Sequence, residues 1–166
     1  MTAMTEMNLS EEFLRQSEHY LVEEFLPKLK AAIALLSEDE LWWRPNQQSN
    51  SVGNMVLHLD GNVRQWIVSG VGEAPDQRQR ALEFLEQGPV PARELIEKLE
   101  NTVAEAVNVL RKVDRNTLLA KRKIQAYEVT LVQAIVHVVE HFSYHTGQIV
   151  YVAKMLKGVD TQFYDL

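Results

Sequence analysis

Apolar positions along most of this chain recur at three- and four-residue intervals, the period of a helix that buries one face. The first stripe is Phe13, Tyr20, Phe25, Leu29, Ile33 and Leu36. Opened by an Asn8–Glu11 capping pair, it predicts a helix over 9–36, kinked at Pro27, where a backbone donor is missing. Ser37 with Glu40 starts a short helical turn that must stop before Pro45, because the residue preceding a proline is pushed out of helical geometry. Trp42 and Trp43 in that turn are expected to plug the end of the core. Asn50 or Ser51 caps a second helix over 51–71, striped by Val52, Met55, Leu59, Val63, Trp66 and Ile67. Residues 70–91 read as a connection rich in Gly, Pro and charge, with one helical turn near 80–87. Pro91, at the first helical position, opens a third helix over 91–113 whose Leu95, Leu99, Val103, Val107 and Leu110 are plain core. Residues 114–129 read as a loop. Thr130 with Gln133 then opens a fourth helix over 130–157, and Gly158 closes it. Residues 1–8 read as a loose leader and 161–166 as a tail. Four long amphipathic helices without a comparable strand signal predict an all-α four-helix bundle, a single domain over 1–166.

Composition narrows the classes. With 46 % apolar and 24 % charged residues, the 166-residue chain has the make-up of a soluble globular domain. Its net charge of −6 argues against a nucleic-acid binder, whose phosphate contacts need a basic surface. No run reaches the roughly 18 apolar residues of a membrane span, and no signal-peptide pattern is present, so no membrane association and a cytoplasmic location are expected. Cysteine is absent, which removes disulfides, thiolate ligands and a protein thiol nucleophile.

The chemistry concentrates in the fourth helix, where three of the five histidines, His137, His141 and His145, recur every fourth residue. That interval stacks neighbours on one helix face, and two histidines at i and i+4 can share a metal ion. All three cannot, since His137 and His145 lie about 12 Å apart along a helix rising 1.5 Å per residue. Spacing alone leaves His137/His141 and His141/His145 both open. A third ligand must come from elsewhere, and His58 lies on the second apolar stripe, with Asn54 and Asn62 one turn away on either side. A buried imidazole between two carboxamides needs partners. His19 reads as structural or exposed.

Several motifs resemble those of the DinB-like superfamily, the four-helix metal-binding fold that includes bacillithiol transferase-like proteins and the N-terminal domain of mycothiol-dependent maleylpyruvate isomerase. They are Trp43-Arg44-Pro45 followed by Asn50-Ser51-Val52-Gly53-Asn54, then His58-Leu59-x-Gly61-Asn62, Arg78-x-Arg80-x-x-Glu83-Phe84, and His141-x-x-Tyr144-His145-x-Gly147-Gln148-Ile149. The resemblance implies one ion held by His58, His141 and His145, and so favours the second pair. Thr146 stands where the family often has arginine before the Gly-Gln pair, and His137 is an addition to the triad.

The function expected from this resemblance is a zinc- or nickel-dependent enzyme, such as a bacillithiol-type S-transferase acting on a small-molecule substrate with a low-molecular-weight thiol as cosubstrate. Metal-assisted hydrolysis and a non-enzymatic, metal-stabilised binding or stress-response module are the alternatives. His137-x-x-Glu140-His141 also matches an inverted zinc-protease signature, but only 25 residues follow His141, too few for the distant acidic ligand that motif requires. A metal-bound imidazole donates its other ring N–H to an acceptor. Gln148, one turn beyond His145, and Asn62, one turn beyond His58, are candidates for that support or for substrate contact, with His137 bonded away from the ion. A homodimer is expected from the resemblance and from apolar surface at Trp42, Trp43 and Tyr164.

Overall fold

The computed structural model describes residues 8–163. Asn8 caps α1 (Leu9–His19) by accepting from the Ser10 N–H, while Glu11, its expected reciprocal partner, pairs with Arg115. The helical run continues through a π-helical stretch, Tyr20–Phe25, into α2 (Leu26–Ala34). The irregularity expected at Pro27 therefore takes the form of a widened turn just before it, where the ring would otherwise press on the carbonyl four residues back. α3 (Glu38–Trp42) keeps the full Ser37–Glu40 capping box.

Only one of the two tryptophans fills the core end. The Trp42 ring lies where a Cβ on Gly53 or Gly88 would sit, and its Nε1–H donates to the Val90 carbonyl at 3.1 Å, whereas Trp43 is 38 % exposed. The chain leaves helical geometry at Trp43, so the two rings cannot share a face. Tyr164, expected as apolar surface, lies outside the described residues.

Ser51, not Asn50, caps α4 (Val52–Val63), with Asn54 closing the box. A second π-helical stretch, Arg64–Val71, extends it. After an irregular segment come α5 (Arg80–Leu85) and α6 (Ala92–Lys112), the latter with Pro91 as cap rather than first helical residue.

The expected loop over 114–129 is instead a 3-10 turn, Arg115–Thr117, and an antiparallel hairpin of β1 (Lys121–Ile124) and β2 (Tyr127–Thr130), with Lys121 opposite Thr130 and Ile124 opposite Tyr127. Its strands are four residues each, largely exposed, and joined through Gln125 at φ 55° without the Asn-Gly or Asp-Gly turn that signals a hairpin. Ile124 anchors it: a Cβ on Gly70 would come within 2.4 Å of the Ile124 Cδ1. α7 (Leu131–Lys157) follows directly, with the Thr130–Gln133 box at its start and left-handed Gly158 at its end.

The structure is mostly helical. α4 packs against α6, α2 against α7, and the second π stretch against both α6 and α7. Most stripe positions read from sequence are buried there, with Leu29, Leu59, Ile67, Leu99, Ile135, Phe142 and Ile149 all essentially inaccessible, but Tyr20 of the first stripe is 43 % exposed. Among the described residues no helix is long and apolar enough to cross a membrane.

Candidate metal centre

Where α4 meets α7, His58, His141 and His145 converge, one ring nitrogen of each lying within 4.8 Å of the others. The Nε2 atoms of His58 and His141 are 2.9 Å apart, and the His141 and His145 rings meet edge to face at 4.5 Å. Three nitrogens on a tetrahedral ion with bonds of about 2.0–2.1 Å would stand about 3.4 Å apart. The His58–His141 contact is shorter than that, and the set as a whole lies within 4.8 Å, so the three nitrogens stand at the scale of one ion's ligand shell.

The protonation pattern follows from the outer partners. His58 Nδ1 lies 2.8 Å from Glu83 Oε2 and 3.1 Å from Arg78 Nη2; the shorter contact is to a carboxylate, which only accepts, and it favours the tautomer with the proton on Nδ1 and the Nε2 lone pair facing His141. His141 therefore donates from Nε2 across the 2.9 Å contact. Glu83 is fixed in turn by Arg78, whose Nε and Nη2 donate to its two oxygens at 2.7 and 2.8 Å. Burial pushes the Glu83 carboxyl up, but the bonds from Arg78 and His58 outweigh it and hold the group below the usual carboxylate range. The pair lies directly over the α4 backbone: a Cβ on Gly61 would come within 2.1 Å of Glu83 Oε1.

On α7, Gln148 Oε1 accepts from His145 Nδ1 at 2.7 Å, leaving Nε2 bare. Burial, then the neighbouring imidazoles and Arg78, push His141 down to about 3. Burial and His58 lower His145 to about 4, against the opposing Gln148 bond. Both rings are neutral near pH 7, as metal ligation requires.

The remaining sequence candidates lie outside this convergence. His137 bonds Asn62 Nδ2 through Nε2 at 3.1 Å and packs on Trp66 at 4.2 Å. Asn62 thus holds His137 rather than His58. Asn54 is consumed structurally, taking Arg44 and Ser51 on its oxygen and giving its amide to the carbonyls of Glu83 and Glu86. Glu140 is exposed, and His19 lies by Glu24 at the surface. Sequence reasoning gave Arg78 and Glu83 no role, although both stand in the quoted Arg78-to-Phe84 motif.

His145 also lines a groove of about 680 Å³ between α7 and the 45–50 loop. A second cleft, about 440 Å³, lies behind Glu83 and is lined by Asp60, Arg64, Arg78 and Lys98. In sequence, the profile of a family described as a protein of unknown function (DUF1572) matches residues 8–165. No curated protein matches the chain.

Proposed function

We propose that this chain, which belongs to the DUF1572 family, binds one divalent ion, zinc or nickel, through His58, His141 and His145 and uses it in a small-thiol S-transferase reaction. A DinB-like four-helix bundle is part of the same reading, supported by the long packed helices and the motifs at 43–62, 78–84 and 141–149. The observation that carries it is the convergence of three imidazoles, each offering a ring nitrogen within 4.8 Å of the others, in a set that suits either metal.

When bound, an ion in such a site supplies Lewis acidity and lowers the pKa of a coordinated thiol or water. The chain's own residues do the rest. Glu83 keeps the His58 proton on Nδ1, Arg78 keeps Glu83 ionised, and Gln148 orients His145. Because the chain has no cysteine, the sulfur comes from a cosubstrate. Its thiol proton is lost to solvent as a carbon–sulfur bond forms on the electrophile and the leaving group departs with its electron pair.

Elemental analysis of tag-free protein tests the ion: one equivalent is expected, and none refutes it. A conjugation panel with the metal-loaded protein then separates a transferase from metal-assisted hydrolysis, in which water replaces the thiol, and from a binding module, which turns nothing over. The homodimer stays within the proposal, supported by the exposed apolar residues Tyr20 and Val136 beside a groove between α1 and α7. Light scattering at micromolar concentration should give about twice the chain mass of 19.1 kDa.

A further inference from the structure

The groove that reaches His145 differs in kind from the cleft behind Glu83. Among the described residues that line it there is no Lys, Arg, Asp or Glu. The 45–50 loop brings Gln48, Ser49 and Asn50, and α7 brings Tyr144, Gln148 and Tyr151 at helical spacing. Tyr144 meets His145 edge-on at 5.1 Å, and the two tyrosines are 62 % and 70 % exposed, presenting aromatic faces with hydroxyl ends. The cleft behind Glu83, by contrast, is crowded with charge.

A carboxylate that enters a wall of neutral dipoles gives up hydration without gaining a counter-charge, and protein sites for carboxylates ordinarily supply an arginine or a lysine. An amide, hydroxyl or aromatic group loses much less there. Resting on the metal reading above, we infer that the thiol admitted to the centre through this groove is uncharged outside its sulfur, with an amide or hydroxyl group on an aliphatic or aromatic body. Thiols that carry carboxylates, such as bacillithiol or glutathione, are disfavoured.

N-acetylcysteamine and N-acetylcysteine share a skeleton and differ by one carboxylate, which makes them the probe pair. Cobalt(II) replaces the ion in the full chain: its visible bands report uptake, and a sulfur-to-cobalt charge-transfer band reports thiol binding without any turnover. N-acetylcysteamine should bind at least about tenfold more tightly, the size expected of one uncompensated carboxylate. Tyr151→Arg, which adds a cation to the groove, should narrow or reverse that ratio while cobalt uptake stays complete.

Equal or tighter binding of N-acetylcysteine by the parent protein overturns the inference, as does the absence of a charge-transfer band with both thiols. A preference for N-acetylcysteine that disappears in Arg80→Ala would overturn it and move access to the other side of His58. There the Arg80 guanidinium lies 4.9 Å over the Phe84 ring, which packs on His58. Failure to take up cobalt at all refutes the metal reading itself, so the two failures are distinguishable.

Discussion

On its side facing α6, α4 carries Asp60, which accepts from Thr102 Oγ1 at 2.6 Å and pairs with Lys98 at 3.1 Å. On its side facing α7 it carries His58, bonded to Glu83 and to a second imidazole. Both groups are buried, and both join α4 to a neighbouring helix. In the first, a carboxylate meets an ammonium group and a hydroxyl, and its charge is compensated. In the second, two imidazoles meet nitrogen to nitrogen at 2.9 Å, sharing one proton between His58 and His141. Two of the buried side-chain atoms left without a hydrogen bond, Asn62 Oδ1 and Thr146 Oγ1, belong to these same two helices. The Asp60 network is closed by an ammonium group and a hydroxyl, whereas the second network gathers imidazole nitrogens from three residues into one place, a set that an ion would complete.

The largest expected effect separates the two networks outright. His141→Ala should lose the metal equivalent altogether, a drop beyond about 100-fold in affinity for removal of a direct ligand. Asp60→Asn should keep the full equivalent yet cost about 1–3 kcal/mol in urea unfolding, the range for disturbing a buried bonded group. Metal loss in Asp60→Asn would show that the networks are not independent. Retention of a full equivalent by His145→Ala, with loss in His137→Ala, would show that the wrong pair has been assigned.

Next in size is the carboxylate behind His58. Glu83→Gln keeps the shape but drops the charge that fixes the imidazole tautomer, and zinc affinity by chelator competition should fall about 10–100-fold. Arg78→Gln should follow it in direction.

Acid should then act on one network through its imidazoles. The folded-state values of about 3 for His141 and about 4 for His145 lie below the ordinary 6.5 of the unfolded chain, so the unfolded state binds the extra protons. Metal-free protein should keep its stability above pH 7 and lose it progressively as the pH falls from about 6.5 towards 3. Thermal melts in chelator between pH 4 and 8 measure this, and the His141→Gln/His145→Gln double mutant should give a flatter profile.

The smallest effects lie with the carboxamides. Gln148→Ala should weaken zinc binding by about tenfold, the low end for losing an outer partner, while Asn62→Ala should stay within about twofold because its bond is to His137. A larger loss at Asn62 than at Gln148 would reverse their assignment.

Helices were legible in this sequence wherever a long stripe had a cap beside it, as at Asn8, Ser51 and Thr130. The hairpin was not, because its pairing rests on Ile124 docking at Gly70, a contact made across the fold. In the centre, four-residue spacing singled out His141 without choosing its neighbour. Asn54 and Asn62 are equivalent by spacing from His58, yet one is drawn off by the carbonyls at 83 and 86 and the other by His137. Glu83 was invisible as a partner because it follows 25 residues later, on a short helix placed by an irregular segment.

Gly61 has no side chain, yet it behaves as part of the centre, because the space its Cβ would fill is already taken by Glu83 and Arg78. Inheritance should show this. A lineage that exchanges Gly61 for a larger residue has to move the Glu83 and Arg78 side chains off the α4 backbone, so the three positions are expected to change together. Position 61 would then serve as a marker, readable from gene sequence alone, of which descendants still hold His58 in its ligating tautomer.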